Sequence, residues 1–317
     1  MSGQWHTGVR AADRGLPVDN VSQLSPTRAV PQDVTESSEQ VETLTRVCSE
    51  DLISAFGLGN IRVGRAALER ISHQPARWLA KQIATYDEIV GQAGLGAGGT
   101  WAMQRMARRV EVVGAAGVPR VGSVLIVSNH PGLADAVALF SAVPRDDLRV
   151  IAAGRPFLDA LPNTARRLIT VTEARSGRSA ALRSAARHLK SGGAVLTFPG
   201  GRIEPDPAVL PGAAEALGQW SGSVDLFARL APDLTVVPAV VSGVLSPAAL
   251  RNPLIRIRRG RSDQEWLAAT FQMLLPALRN VTTRVEFGTP IHAEDVARVG
   301  PVVLEEARRM IESLRER

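Results

Sequence analysis

Five histidines occur in this chain of 317 residues, and one of them has the surroundings of a reacting group. His130 closes the stretch Val124-Leu-Ile-Val-Ser-Asn-His-Pro-Gly-Leu-Ala-Asp135, with an aspartate five positions further on. Histidine exchanges a proton near neutral pH, and a carboxylate on its other ring nitrogen can fix the tautomer and stabilise the imidazolium. His130 and Asp135 are therefore a candidate base and the acid that orients it. A purely local role competes with this reading, because aspartate also caps helices well.

The elements around the pair must bring it to a surface where ligands gather. The run before His130 is apolar without polar alternation, which predicts a strand covered on both faces. Pro131-Gly132 ends that strand, and a helix is expected near Leu133. Further strands are expected over 110–113, 150–153, 169–171, 194–198, 235–241 and 284–287. Helices are expected over 179–190, 209–217, 224–230, 264–278 and 302–314, with a short helical excursion over 157–168. This alternation predicts an α/β fold, a mostly parallel mixed sheet covered by helices on both faces. Ligands of such sheets collect beyond the carboxyl ends of the strands, where His130 and Asp135 would stand.

Three segments follow from composition shifts. Residues 1–37 mix Pro, Ser, Thr, Gln and charges without periodicity, and read as mobile. Residues 38–100 form an N-terminal helical region, with one amphipathic helix over 38–56 and a helical block over 61–90 in which Pro75 begins a new helix. Five glycines between Gly91 and Gly99 suggest a flexible joint; they lack the strand that a dinucleotide fingerprint needs before it. Residues 101–317 make the α/β domain.

Composition narrows the function. A hydrophobic content of 45% supports a full core, and the net charge of +6 is carried by arginine, since Lys81 and Lys190 are the only lysines. Arginine holds phosphate by a planar fork of donors. Aromatics make up 4% of the chain and do not interleave with arginine, so nucleic acid is not the expected partner. A single cysteine, Cys48, excludes an internal disulfide and a cysteine-rich zinc site, and neither His188 nor His292 has metal-ligand spacing. The opening residues lack a signal-peptide core, and the longest uncharged run, 234–250, is interrupted by Pro, Ser and Gly. The expected location is cytoplasmic, with any membrane contact peripheral and on the inner face.

Three more segments end at strands: Thr172-Glu-Ala-Arg175, Phe198-Pro-Gly-Gly-Arg202-Ile-Glu204, and Val237-Pro238 through Gly243. With Asn129-His130 and Asp135, their order and spacing resemble the four sequence blocks of the glycerolipid and lysophospholipid acyltransferases, the family typified by 1-acylglycerol-3-phosphate acyltransferase. The resemblance covers roughly residues 110–243. It implies that His130 is the general base removing a proton from an acceptor hydroxyl as it attacks an acyl thioester, with Asp135 orienting the ring. It also implies a substrate-binding set of Asn129, Arg175, Phe198, Pro199, Gly200, Gly201 and Arg202, the arginines meeting an acceptor phosphate. The co-substrate would be acyl-CoA or an acyl carrier protein thioester, with no bound cofactor and no metal. The expected partners are a lipid acceptor, the thioester donor or its carrier protein, and an anionic membrane surface.

Departures from the family pattern matter. Gly200 stands where the third block has an acid, so Arg202 or Glu204 could take over part of that acid's role. Arg202 follows Gly201 directly, where a small hydroxyl residue is usual, and Gly132 replaces a common serine. Amides of Gly200-Gly201 or of the Pro131-Gly132 turn are candidate donors to an oxyanion. Arg155 reads first as structural, as does the Val237 strand. Arg256, Arg258, Arg259 and Arg261 form the densest positive run and could dock on anionic lipid. Two alternatives stay open: a thioester or ester hydrolase using the same dyad, and a catalytically impaired lipid-binding relative.

Overall fold

Val124, Leu125, Ile126 and Val127 are all fully shielded from solvent. Successive side chains on a strand point to opposite faces, so burial of all four requires a packed layer on each side. The computed structural model, which describes residues 21–23, 37–132, 134–172 and 174–314, has that arrangement. The described residues run through β1 (Val21–Gln23), α1 (Ser38–Ala55), α2 (Arg65–Met106), β2 (Arg109–Val113), β3 (Val124–Ser128) and α3 (Asp135–Ala142). They continue through β4 (Arg149–Ala153), α4 (Pro156–Asp159), α5 (Pro162–Ala165), β5 (Leu168–Val171), α6 (Arg175–Lys190), β6 (Ala194–Thr197) and α7 (Ala213–Ala216). They end with α8 (Ser223–Leu230), β7 (Thr235–Ser242), α9 (Pro247–Leu250), α10 (Arg261–Leu274), β8 (Thr282–Phe287), β9 (Ile291–His292) and α11 (Val299–Ser313).

Among the described residues the sheet has nine strands in the order β1-β2-β8-β7-β3-β6-β4-β5, with β9 beside β7. The pairs β2–β8, β7–β3, β3–β6, β6–β4 and β4–β5 are parallel, whereas β1–β2, β7–β8 and β7–β9 are antiparallel. On one face Val124, Ile126, Leu196 and Val237 pack with Trp101 and Met103 of α2 and Leu139 of α3. On the other, Leu125, Val127, Val195 and Val236 meet Leu189 of α6, Phe227 of α8 and Val303 of α11. Burying one such side chain contributes about 1.5–3 kcal/mol, so a one-residue slip that exchanged the two sets would be costly. The fold is thus the expected mostly parallel mixed sheet, covered on both faces, with α1 and the start of α2 as the N-terminal helical region.

Pro238 sits inside this core without breaking it. On one edge β7 pairs with β9 through Thr235 and Val236, then with β8 from Ala239 onward. Pro238 falls at the changeover, where its missing N–H costs no ladder bond.

Several expectations are corrected. Most of residues 1–37 lie outside the described residues, but Val21–Gln23 forms an edge strand on β2 rather than a mobile stretch. Pro75 does not start a helix, because α2 passes through it. The glycine-rich segment is no flexible joint either: α2 runs through it with a kink at Gly94 (φ 83°), and Gly96, Gly98 and Gly99 are buried. A Cβ at Gly99 would lie 2.6 Å from the Val137 carbonyl oxygen and 2.7 Å from the Ser141 nitrogen. Glycine there lets α2 meet α3 backbone to backbone, bracing the helix that carries Asp135. The helix expected over 209–217 shrinks to α7, and α6 begins earlier than expected, at Arg175.

Candidate active site

β3 lies at the centre of the sheet between β6 and β7, and it releases His130 at its carboxyl end. His130 Nδ1 is 2.7 Å from Asp135 Oδ2, with the imidazole 29% exposed and the carboxylate 1% exposed. The same Asp135 oxygen accepts the Gly132 amide at 3.0 Å, and its other oxygen accepts the Ala136 amide. Asp135 therefore does both things the sequence allows, steadying the first turn of α3 and holding the ring. A carboxylate at a helix N-terminus is itself favoured by the helix dipole. Gly132 adopts φ +148°, a backbone conformation that suits glycine, which explains why no serine stands there.

Phe198, at the end of β6, lies against the imidazole with ring centroids 4.7 Å apart and planes tilted by 32°. Pro199, the next residue, is buried. From the loop that follows, Glu204 forms a two-way clamp on the histidine backbone. Its amide donates to the His130 carbonyl at 2.8 Å, and its Oε2 accepts the His130 amide at 3.3 Å. Oε1 accepts the Trp220 indole N–H at 2.8 Å.

These groups set the proton affinity of the ring. Burial lowers it, but the hydrogen bond and charge of Asp135 and the charge of Glu204 outweigh burial and the opposing charge of Arg155. His130 thus titrates above its ordinary value of 6.5. Burial acts in the opposite direction on Glu204, raising it above its ordinary value against the bonds from Trp220 and the His130 backbone.

The other sequence-chosen residues divide. Asn129 is brought beside the dyad but not towards a substrate: its amide donates to the Val241 carbonyl at 2.9 Å and accepts the Val241 amide at 2.8 Å. It is 1% exposed and ties β3 to β7, a correction to its expected substrate-binding role. Gly200, Gly201 and Arg202 lie on the loop after β6, with Arg202 exposed and Gly201 at φ +63°. Arg175 opens α6 after β5, and its side chain lies outside the described residues. Arg155, at the start of α4 beyond β4, is exposed and close enough for its charge to act on both His130 and Asp51 of α1.

Two further residues escaped the sequence reading. Asp206 is fully buried and accepts four amides at 2.8–3.0 Å: Ala208, Gly243, Val244 and Leu245. It joins the loop after β6 to the loop after β7. The acidic pair flanking Pro205, just past a glycine turn, was its only sequence signal. Trp220 had none, since its role depends on a contact made sixteen residues from Glu204. Among the described residues no three His, Cys, Asp or Glu side chains gather to hold a metal ion. The open hollows at Glu69 to Gln74 and at Gly59 to Arg65 do not include His130.

A half-open imidazole held by a buried carboxylate, beyond the central strand of a mixed α/β sheet, is an arrangement suited to base-assisted chemistry. Residues 109–242 match the family model described as Acyltransferase, a stretch running from β2 through β7 and containing the dyad. Over that stretch the chain is similar to the acyltransferases. It is similar to the crystal structure of the 1-acyl-sn-glycerophosphate (LPA) acyltransferase, PlsC, from Thermotoga maritima, at 18% identity. That match covers 88% of this chain and 100% of the other, with a TM-score of 0.43. No curated protein matches the chain.

Proposed function

We propose that this chain is an acyltransferase that moves a fatty acyl group from a thioester, acyl-CoA or an acyl carrier protein conjugate, to a hydroxyl of a lysophospholipid or glycerolipid-like acceptor. The observation that carries the reading is the 2.7 Å contact between His130 Nδ1 and Asp135, which commits one ring nitrogen and leaves Nε2 to take a proton. The acceptor oxygen bonds to the thioester carbon while its proton passes to Nε2. Collapse of the tetrahedral intermediate breaks the C–S bond, and the departing thiolate takes the proton from the imidazolium. Asp135 stabilises that imidazolium, and because the thioester is already activated towards attack, no covalent enzyme intermediate is required.

The oxyanion is assigned to the Gly200 amide. Of the three candidate amides, Gly132 donates to Asp135 and Gly201 to the Phe198 carbonyl. Arg202 follows the carboxyl end of β6, which pairs with the strand that ends at His130, and Arg175 follows the carboxyl end of the edge strand β5, third from β3; both are assigned to the acceptor's phosphate.

A lipid acceptor calls for a membrane contact. Among the described residues no helix is long and apolar enough to cross a membrane. The contact is placed on the turn after α9, where Leu254 and Ile257 are 54% and 55% exposed beside the exposed Arg256 and Arg259. The other two arginines of that run serve the fold, Arg258 pairing with Asp263 at 2.8 Å and Arg261 with Glu265 at 2.9 Å.

The test supplies palmitoyl-coenzyme A and a panel of lysolipids to the full chain and to His130→Ala. Diacyl product from the parent chain and none from the variant is expected. Undiminished transfer by the variant removes the mechanism, and release of free fatty acid independent of any acceptor would identify a hydrolase instead.

A further inference from the structure

The acid that the third block lacks at Gly200 has a spatial substitute. A Cβ built on Gly200 would lie 2.1 Å from Glu204 Oε1, so the Glu204 carboxylate occupies the volume that a side chain at position 200 would need. Glu204 is 4% exposed, and both its oxygens are engaged, one with the Trp220 indole and one with the His130 amide. Its own amide holds the His130 carbonyl. A surface glutamate would have no reason to be threaded into such a place, since burying a carboxylate is costly unless its bonds are made.

We propose that Glu204 is a positioning residue for the reaction: it replaces the carboxylate missing at position 200, fixes the backbone of His130 through a two-way clamp, and supplies a second negative charge to the ring. This rests on the acyl-transfer reading for its catalytic consequence, but not for its geometry. The charged groups facing His130 are Asp135 from α3, Glu204 from the loop after β6, and Arg155 from the start of α4. Asp135 bonds the ring directly, whereas Glu204 touches only the backbone, so its influence on the ring is through charge and placement. Trp220 completes the arrangement by holding the carboxylate from the far side.

Two measurements test it. In the full chain with labelled histidine rings, an NMR titration follows His130 in the parent and in Glu204→Gln, which keeps the side-chain volume. Removing the charge is expected to move the His130 titration, and with it the acid limb of kcat/KM, to lower pH. An unmoved titration would overturn the proposal. The second measurement is a positional exchange. Glu204→Ala is expected to lose about tenfold or more in kcat/KM, as displaced catalytic groups do. Adding Gly200→Glu to that variant is expected to restore most of the loss, because the Gly200 backbone accepts a side chain once the volume is vacated. Gly200→Glu alone, colliding with Glu204, is expected to be impaired. A folded double variant no better than Glu204→Ala would overturn the substitution. If the parent chain transfers no acyl group, the proposed function fails while the titration still decides the role of Glu204.

Discussion

The two ends of β3 each hold an ionic pair, and they spend it differently. At the amino end Arg145, its side chain 4% exposed, donates to the carbonyls of Pro119, Gly122 and Gly192 at 2.7–3.2 Å and forks onto Asp147 at 2.7 and 2.8 Å. His188 joins the same knot through the Asp147 carbonyl at 2.8 Å. Every nitrogen of that guanidinium has a partner, and the knot gathers the chain ahead of β3, β4 and β6. At the carboxyl end Asp135 is equally saturated, but its partner His130 keeps one ring nitrogen uncommitted. A saturated pair holds the fold; a pair with one group in reserve can react.

The largest expected effect separates the two ends by what each loses. His130→Ala should lower acyl transfer by about 10²–10⁴-fold, the range for removing a general base, with only a small drop in its urea midpoint. Arg145→Ala should do the reverse. Leaving three part-buried carbonyls and a half-exposed carboxylate without their partner costs on the order of 3 kcal/mol of stability, while activity per folded molecule stays near that of the parent. If Arg145→Ala instead lost activity without stability, the division between holding and reacting ends would be mistaken.

A smaller effect sharpens the same contrast at the surface. Replacing Arg256 and Arg259 with glutamine, on the turn beyond the carboxyl end of β7, should weaken binding to phosphatidylserine vesicles. About 1 kcal/mol per residue near the surface amounts to roughly thirtyfold for the pair. The same change at Arg120 and Lys190, exposed residues next to the amino ends of β3 and β6, should leave vesicle binding as it was. Equal losses from both pairs would mean that net charge, rather than a docked face, governs the attachment.

How much of this could be read from residues alone depended on distance along the chain. The uninterrupted aliphatics of β3, β6 and β7 announced buried parallel strands, and the five-residue spacing from His130 to Asp135 is short enough to be fixed by one turn and the start of one helix. The edge strands β1 and β9 carry two or three residues each and had no pattern to detect. The glycines of α2 looked like a loosened chain because their reason lies on another element, the backbone of α3 against which Gly99 packs. Asn129 looked like a substrate ligand for the same cause: its partner, Val241, is 112 residues away. Glu204 was visible as a spare acid near a loop lacking one, but its clamp on His130 exists only once β3 and β6 lie side by side.

The smallest expected effect uses pH to tell the ends apart without any substitution. His130 titrates above 6.5 in the folded chain, so its pairing with Asp135 stabilises the fold fully below the unfolded value and less as pH rises through the folded one. Asp147 is shifted the other way: its hydrogen bonds and charge contact with Arg145 outweigh partial burial and hold it below the usual 3.8. Its contribution is present above the unfolded value and disappears as pH falls through the folded one. Asp147 is 43% exposed, and solvent screening keeps that second term small. Unfolding free energies measured by urea from pH 3 to pH 9 should therefore decline on both flanks, the alkaline decline being absent in His130→Ala and the acid decline being reduced in Arg145→Ala. The alkaline flank carries the functional consequence. A base must be neutral to accept a proton, so catalysis is expected to rise over the same interval in which the dyad's stabilisation falls. A chain whose activity and stability rose together there would hold its imidazole by something other than the Asp135 carboxylate.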